Sequence, residues 1–519
     1  MTSAAQRIGA GLAPARDPRP IRAGERIHVV GGAGAGASAA AILAARAGAS
    51  VTACDPGYPS PYTPALDALA IPIASEHAPS HVTGTPAPDR LAVTKALTAI
   101  DPDQPELVAA RRRGIPLEPW QQVVADAAVG RTLVGVGGTH GKSTTAGWLV
   151  HVLVEAGNDP SAFVGALLPS SLTGGLPATA RWGRGAAFVV EADEYAGNFD
   201  PYHPDVIVVT SAEWDHPDVF PDATAVGNAF EAWIRQAPSN ATLVANVGEP
   251  GVEGLVKRLA DWPGAVVAYA LLEQAPQRVG GYARAIADRF ATVAGPATAL
   301  LGRVSAADRE STTIEIHGLD PLAGPLRTRL ITAGRRNAAN ALAVAGSAAV
   351  LGVAPSKITS AMASFAGVGR RLERKGEADG VTVYDDYGHH PTAIRETIAA
   401  VRQREPGRRV WAVLEPLTFH RTAAMLDELA DALAVADAVA VADIWAGRDP
   451  DTTIASAGGL AAATAARRPG IPVFAPGSVE ATAERLAKEV ATGDVVLVMG
   501  GGRSYRIGEL LLQRLEERR

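Results

Sequence analysis

One cysteine, Cys54, stands in a chain of 519 residues. No intrachain disulfide can form, and a reducing cytoplasmic setting is expected. No run of about 20 apolar residues occurs, which excludes a membrane-spanning helix on hydropathy grounds. Aromatic residues are only 5% of the chain. Lysine is also scarce: Lys95, Lys142, Lys257, Lys357, Lys375 and Lys488 are the whole set among 48 basic residues. With alanine, glycine and arginine in excess, this reads as the codon bias of a GC-rich genome. A lysine that survives inside a motif therefore carries more information than usual. Acidic residues number 54, and the net charge of −6 argues against a general nucleic-acid-binding surface.

Apolar residues make up 47% and charged residues 20%, close to a globular average, so the chain as a whole is not disordered. Its length suits three domains. Residues 1–24, rich in Ala, Arg, Pro and Gly, are expected to be a disordered extension; they lack the apolar core of a secretory signal. From Ile27 onward, short runs such as Ile27–Val30, Thr132–Val136, Phe188–Val190, Val206–Val209, Val381–Tyr384 and Val495–Met499 alternate with Ala/Leu-rich helical stretches. Continuous apolar strands separated by helices predict an α/β fold of parallel strands buried on both faces, with function at their carboxyl ends. Boundaries near residues 128 and 363 give domains at 25–128, 129–363 and 364–519. The segment Gly280–Leu326 reads as shorter, more polar strands.

Four strand ends carry chemistry. Thr132–Val136 leads into Gly137-Gly138-Thr139-His140-Gly141-Lys142-Ser143-Thr144 and then a helix. Glycines let backbone N–H groups face an anion, the helix N-terminus adds positive potential, Lys142 can reach terminal phosphates, and Ser143 can ligate Mg²⁺. A strict phosphate loop would have glycine where Val136 stands, so this is a variant, and it points to ATP or GTP chemistry. Phe188–Val190 ends in Glu191-Ala192-Asp193-Glu194, and Val206–Val209 leads to Glu213-Trp214-Asp215-His216. Carboxylates and an imidazole beside a phosphate loop suit a divalent metal, with Glu191 and His216 as the direct ligands. Val381–Tyr384 ends in Asp385-Asp386-Tyr387-Gly388-His389-His390, with Arg370-Arg371 upstream. Ile27–Val30 leads to Gly31-Gly32-Ala33-Gly34-Ala35-Gly36-Ala37-Ser38, and the second strand ends at Asp55. Ala33 occupies the second-glycine position of a dinucleotide fingerprint, so NAD is weakly supported, while a diphosphate on this helix N-terminus is reasonable.

Taken together, from Ile27 to the C-terminus, these motifs resemble the Mur ligases, ATP-dependent amide-forming enzymes of peptidoglycan precursor synthesis. The resemblance is greatest to the branch that acts on UDP-N-acetylmuramate and L-alanine. It implies three lobes, each a largely parallel sheet flanked by helices: a Rossmann-like UDP-sugar-binding lobe, a central phosphate-loop ATPase lobe, and a Rossmann-like lobe that closes over ATP. It implies that Gly138, Thr139, His140, Gly141, Lys142, Ser143 and Thr144 hold ATP with Asn337, Asn340, Arg371, Asp386 and Tyr387. Ser143, Glu191 and His216 would share Mg²⁺ or Mn²⁺. Gly31, Gly34, Ala35, Gly36, Ser38 and Asp55 would hold the UDP-sugar. His389, His420 and Arg421 would meet the amino acid, and His389 and His390 are the candidates for the base. Lys142, Glu191, His216, Arg371 and Asp386 would carry the chemistry.

Under this resemblance the muramate carboxylate takes the γ-phosphate of ATP, and the amine of alanine displaces phosphate from the acyl phosphate. The expected partners are UDP-N-acetylmuramate, L-alanine and ATP, without nucleic acid or membrane insertion, in a monomer or homodimer. Relatives often carry Gln-Pro-His-x-x-x-Arg-Thr in the third lobe; here Glu415, Pro416, Leu417 and Arg421 stand there, with a histidine at His420. No lysine lies between His216 and Lys257, unlike branches with a carbamylated lysine. The competing readings are a ligase that attaches a recycled tripeptide to UDP-N-acetylmuramate, and a phosphate-loop nucleotide switch without ligase activity.

Overall fold

A computed structural model describes residues 8–518 except 274–278, 321–323, 448 and 450. Its strands fall into three sheets in chain order. The first holds β1 (Arg26–Val30), β2 (Ser50–Cys54), β3 (Ile73–Ala74), β4 (Arg90–Val93) and β5 (Leu117–Pro119), ordered β3-β2-β1-β4-β5 and parallel throughout.

The second sheet holds β6 (Thr132–Gly137), β7 (Ser161–Leu168), β8 (Ala178–Arg181), β9 (Ala187–Glu191), β10 (Val206–Val209), β11 (Thr242–Asn246), β12 (Ala265–Leu272), β13 (Thr298–Ala307), β14 (Thr312–His317) and β15 (Leu326–Leu330). Its order is β15-β14-β13-β12-β11-β10-β6-β9-β7-β8, antiparallel only at β7–β8 and β13–β14–β15. The third holds β16 (Glu373–Ala378), β17 (Val381–Asp386), β18 (Val410–Glu415), β19 (Ala438–Ala442), β20 (Val473–Gly477) and β21 (Val495–Gly500), ordered β16-β17-β21-β18-β19-β20. Only β16–β17 is antiparallel there.

The central strands are apolar because both faces are covered. β10 reads Val-Ile-Val-Val and is buried at every residue, as are β18, β19 and β21. Chain order reverses direction across the first sheet between β1 and β4, and across the second around β6. Those switch points open crevices at the carboxyl ends of the strands. The phosphate loop follows β6, and the amino-terminal glycine loop follows β1. The segment 279–326 departs from the reading as strands alone: Val279–Arg289 is a helix, and the antiparallel β13–β15 follow it.

The amino-terminal arm corrects the expectation of a disordered extension, at least for residues 8–24; residues 1–7 lie outside the described part. Buried Arg90 meets Glu25 at 3.0 Å, Glu118 at 2.7 Å and Asp126 at 2.5 Å. One internal cation cannot balance three carboxylates. The arm supplies the others: Arg16 reaches Glu118 and Asp126, each at 2.8 Å, and Arg19 reaches Glu25 at 2.5 Å. Composition gave no hint of this, because the carboxylates that order the arm lie up to 110 residues away. Removing one member of a buried ion network typically costs about 3–5 kcal/mol. Arg90→Ala should therefore lower unfolding stability by about that much, and Arg16→Ala by less because its side chain is 31% exposed. Urea unfolding of the two variants checks the order.

Candidate functional site

The carboxyl ends of the three sheets face one cavity of about 530 Å³. Gly31, Gly34, Ala35 and Gly36 line it from the first sheet. Thr139, His140, Gly141, Lys142, Thr144, Glu191, His216, Asn337 and Asn340 line it from the second, and Arg371, Asp386, Tyr387, His389 and Arg421 from the third.

The phosphate loop is built by backbone conformation. Gly141 caps the helix Lys142–Glu155 in the left-handed region at φ 84°, and a Cβ there would lie 2.6 Å from Asn340 Oδ1. Glycine is thus required both for the turn and for the close approach of Asn340. The glycine missing at 136 has a structural reason: Val136 is still inside β6, fully buried, and the loop begins two residues later. Asn340 donates to Asn337 Oδ1 at 3.4 Å and Asn337 to Ala333 O at 2.7 Å, so the i, i+3 pair does share one helix face.

Lys142 Nζ donates to Glu194 at 2.9 Å and Asp193 at 3.1 Å. Burial opposes the ammonium charge, but Glu194 and Asp193 outweigh it and hold the Lys142 pKa above its ordinary value. Asp193 is held low against burial by Lys142 and His216, whereas burial raises Glu194. The pair thus stores one negative charge firmly and a second loosely beside the lysine.

Ser143 donates to Glu191 Oε1 at 2.9 Å, and Glu191 Oε2 accepts from Gly165 N at 2.6 Å. Strands β9 and β10, which bring Glu191 and His216, lie on opposite sides of β6 rather than side by side. Glu191 sits with Ser143, while His216 groups with Asp193 and Glu194, their ligand atoms all within 4.8 Å of one another. Asp193 and Glu194 thus stand as further donors beside the expected Ser143, Glu191 and His216. Hydroxyl and carboxylate oxygens with one imidazole suit Mg²⁺ or Mn²⁺.

The third lobe docks on this center through named contacts. Arg371 Nη2 donates to Ser143 Oγ at 2.9 Å. Buried Arg421 donates to Asp215 at 2.7 Å and contacts His216 Nδ1 at 3.1 Å. Thr392 donates to Glu213 at 2.6 Å. Asp386 accepts from Leu372 N and Gly388 N, at 2.8 and 2.7 Å, and so shapes the loop that carries Tyr387. The Arg370 and Arg371 guanidinium groups each lie 5.1 Å from the Tyr387 ring centroid.

The two adjacent histidines part company. His390 caps the following helix by accepting from Thr392 N and contacts Trp214 O at 3.1 Å, so both its nitrogens are engaged and a role as base is not supported. His389 lines the cavity with Nδ1 on Tyr387 O at 2.9 Å, and burial holds its pKa well below the ordinary value, so the ring is neutral.

Five expected binding residues, Gly138, Ser143, Ser38, Asp55 and His420, do not line the cavity. Ser38 is buried with its hydroxyl on Ala35 O and Thr179. Asp55 accepts from Ala33 N at 3.0 Å and Gly57 N at 2.7 Å, holding the glycine loop from behind. His420 turns to Asp449, 3.1 Å away. Conversely, Lys95, the first residue of the helix Lys95–Ile100 that follows β4, lines the cavity, its Nζ on Ala196 O at 2.6 Å. Lysine scarcity was the signal that could have found it. The glycine at 36 has a packing reason, since a Cβ would meet the Trp120 ring at 2.2 Å.

His140 is buried beside Glu213 at 3.7 Å, and burial lowers its pKa to about 4. An unfolded histidine, near 6.5, takes up a proton in the window from 6.5 down to 4 that the folded chain refuses. Stability should be complete above pH 6.5 and fall as pH drops toward 4. Urea midpoints at pH 7.5 and 4.5 should differ less in His140→Gln than in the parent protein.

Residues 26–132 match the "Mur ligase family, catalytic domain", 136–348 the "Mur ligase middle domain", and 370–502 the "Mur ligase, glutamate ligase domain". The UDP-N-acetylmuramate–L-alanine ligase of Frankia casuarinae is 35% identical over 95% of this chain and 98% of its own. Among solved structures, the UDP-N-acetylmuramate-alanine ligase of Thermotoga maritima superposes with a TM-score of 0.72 at 22% identity, covering 95% of this chain and 100% of that one. A murein peptide ligase of Psychrobacter arcticus gives 0.69 at 22% identity, covering 95% and 99%.

Proposed function

The chain belongs to the Mur ligase family, and from that premise we propose that it joins the muramate carboxylate of UDP-N-acetylmuramate to the amine of L-alanine, driven by ATP, in peptidoglycan precursor synthesis. The observation that carries this reading is the single cavity lined by all three sheets. A nucleotide switch would not require a third lobe whose Arg371 reaches the phosphate-loop serine.

The lobes at 25–128, 129–363 and 364–519 divide the work. The glycine loop of the first offers backbone N–H groups to the UDP diphosphate. The second holds ATP along Gly138–Thr144, and Asn337 and Asn340 meet the nucleotide from the facing helix. The carboxylate oxygen attacks the γ-phosphorus, and the bond to the β-γ bridging oxygen breaks, leaving an acyl phosphate and ADP. The amine nitrogen then attacks the acyl carbon, and the C–O bond to phosphate breaks as the amide forms. Both reactants of the first step are anions, so their approach depends on positive charge. Lys142 provides it by turning from Asp193 and Glu194 to the phosphates, and Arg371 adds to it from the third lobe. Ser143 and Glu191, with Asp193, Glu194 and His216 beside them, would hold Mg²⁺ or Mn²⁺, which neutralizes phosphate charge when bound. His389 is placed to accept the amine proton, and Arg421 fixes the Asp215–His216 turn against which the amino acid would lie. Contacts between the second and third lobes keep water from the acyl phosphate.

The test is phosphate release with UDP-N-acetylmuramate, ATP and either L-alanine, glycine, L-serine or the tripeptide. L-Alanine should give the highest kcat/KM; turnover with the tripeptide alone would transfer the chain to the recycling branch. Lys142→Ala should lower kcat by about 10²–10³-fold, the usual loss of one charge-stabilizing donor, in protein whose circular dichroism spectrum is native at the assay temperature. Lys95, whose pKa burial lowers, lies on the first-lobe side of the cavity and is assigned to the sugar nucleotide. Lys95→Ala should raise KM for UDP-N-acetylmuramate several-fold and leave KM for ATP within about twofold, measured in the same assay.

A further inference from the structure

Next to the glycine loop of the first lobe, and outside the residues that line the cavity, lies a cluster that the ligase chemistry does not use. His28 on β1, Cys54 at the end of β2, His81, and Glu106 on the helix Pro105–Arg112 place their ligand atoms within 4.8 Å of one another. His28 Nε2 is 3.3 Å from Cys54 Sγ and 2.9 Å from Glu106 Oε1. His81 Nδ1 is 3.0 Å from Glu106 Oε1, and Cys54 Sγ is 3.3 Å from Glu106 Oε2. We propose that His28, Cys54, His81 and Glu106 form a structural zinc site that braces the glycine loop.

The donor set fits the ion. One thiolate, two imidazoles and one carboxylate are the ligand types zinc takes in four-coordinate sites. With metal–ligand bonds of about 2.0–2.3 Å, the edges of such a tetrahedron are roughly 3.3–3.7 Å. With Glu106 Oε1 as the one carboxylate ligand atom, its separations from His28 Nε2 (2.9 Å), His81 Nδ1 (3.0 Å) and Cys54 Sγ (3.7 Å) lie within this range or a few tenths of an ångström below it, so side-chain adjustment suffices. Charge also closes: thiolate and carboxylate together carry −2 against the +2 of the ion, which leaves a neutral center in a buried place. His28, Cys54 and Glu106 are at most 2% exposed, while the His81 side chain is 18% exposed and gives the ion a way in.

Outer partners orient the ligands as zinc sites require. The Thr52 hydroxyl meets His28 Nδ1 at 2.7 Å, which leaves Nε2 for the center, and His77 Nδ1 lies 3.1 Å from the sulfur. The backbone makes the connection to the loop. Cys54 O accepts from Gly31 N at 2.9 Å and Gly32 N at 3.2 Å, and the next residue, Asp55, holds Ala33 N. Binding replaces the thiol proton of Cys54, which leaves to solvent, with a sulfur–metal bond, and no oxidant or reductant takes part.

Because Cys54 is the chain's one cysteine, a thiolate-to-cobalt charge-transfer band can arise nowhere else. Tag-free full-length protein stripped with a chelator, then titrated with Co²⁺ in excess Mg²⁺, should develop this band and saturate near one equivalent (about 1:1, as a closed four-ligand site requires). Zn²⁺ should bleach it and raise the melting temperature. His81→Ala, at the rim of the cluster and least disruptive to folding, should weaken Co²⁺ binding by at least about tenfold, since even outer partners are worth ~10–100-fold. Glu106→Gln should do the same. Absence of the band in the parent protein, or a band of unchanged affinity in folded His81→Ala, overturns the proposal. Neither result bears on the ligase assignment, because no residue of this cluster lines the catalytic cavity.

Discussion

The hydrogen bond from Arg371 to the Ser143 hydroxyl, 2.9 Å long across 228 residues of chain, joins the third sheet to the phosphate loop of the second. The proposed chemistry depends on it. A carboxylate must approach a polyphosphate, and like charges are brought together only where cations and backbone N–H groups have been collected first. No single sheet provides enough of them. The phosphate loop contributes Lys142 and a helix N-terminus, the third lobe contributes Arg371, and the first lobe contributes its glycine loop and Lys95.

Charge is managed in the same way elsewhere in the molecule. Lys142 rests on Asp193 and Glu194, so a buried ammonium keeps a partner whether or not phosphate is present. Arg421 rests on Asp215. Arg90 is shared by Glu25, Glu118 and Asp126, and the amino-terminal arm completes that balance. In each case isolating a charge in a low-dielectric interior would cost several kcal/mol, and partners from distant segments offset it. The ion pairs therefore tie lobes and arms together as a consequence of solvation physics, while the cores of the sheets supply the bulk of the stabilizing burial.

Much of the fold was legible in the sequence because parallel strands buried on both faces leave a local mark. The runs at β1, β6, β10, β17, β18 and β21 are strands in the structure. The weaker β4, β5, β7 and β8 left little mark: β5 has three residues, and β8 lies at the sheet edge. The helix Val279–Arg289 was read among strands because its stretch is polar and interrupted by glycines. In the site, Gly141, Lys142, Asn337, Asn340, Arg371 and Asp386 do share a cavity. Ser38, Asp55 and His420 carry the right residue types next to the right motifs, yet their side chains turn to Thr179, Ala33 and Asp449. Direction within a loop depends on what packs behind it, and that information is not local.

Short-range pattern alone determined the strand–loop–helix units of this protein, because a glycine turn, a Lys-Ser pair and an apolar strand are each specified by neighbors in the chain. Only the tertiary structure decided which carboxylate meets which cation, that Glu191 and His216 stand on opposite sides of β6, and that His28, Cys54, His81 and Glu106 converge. The reason is that electrostatic and ligand contacts act over a few ångströms of space, while the residues that make them are tens to hundreds of positions apart along the chain.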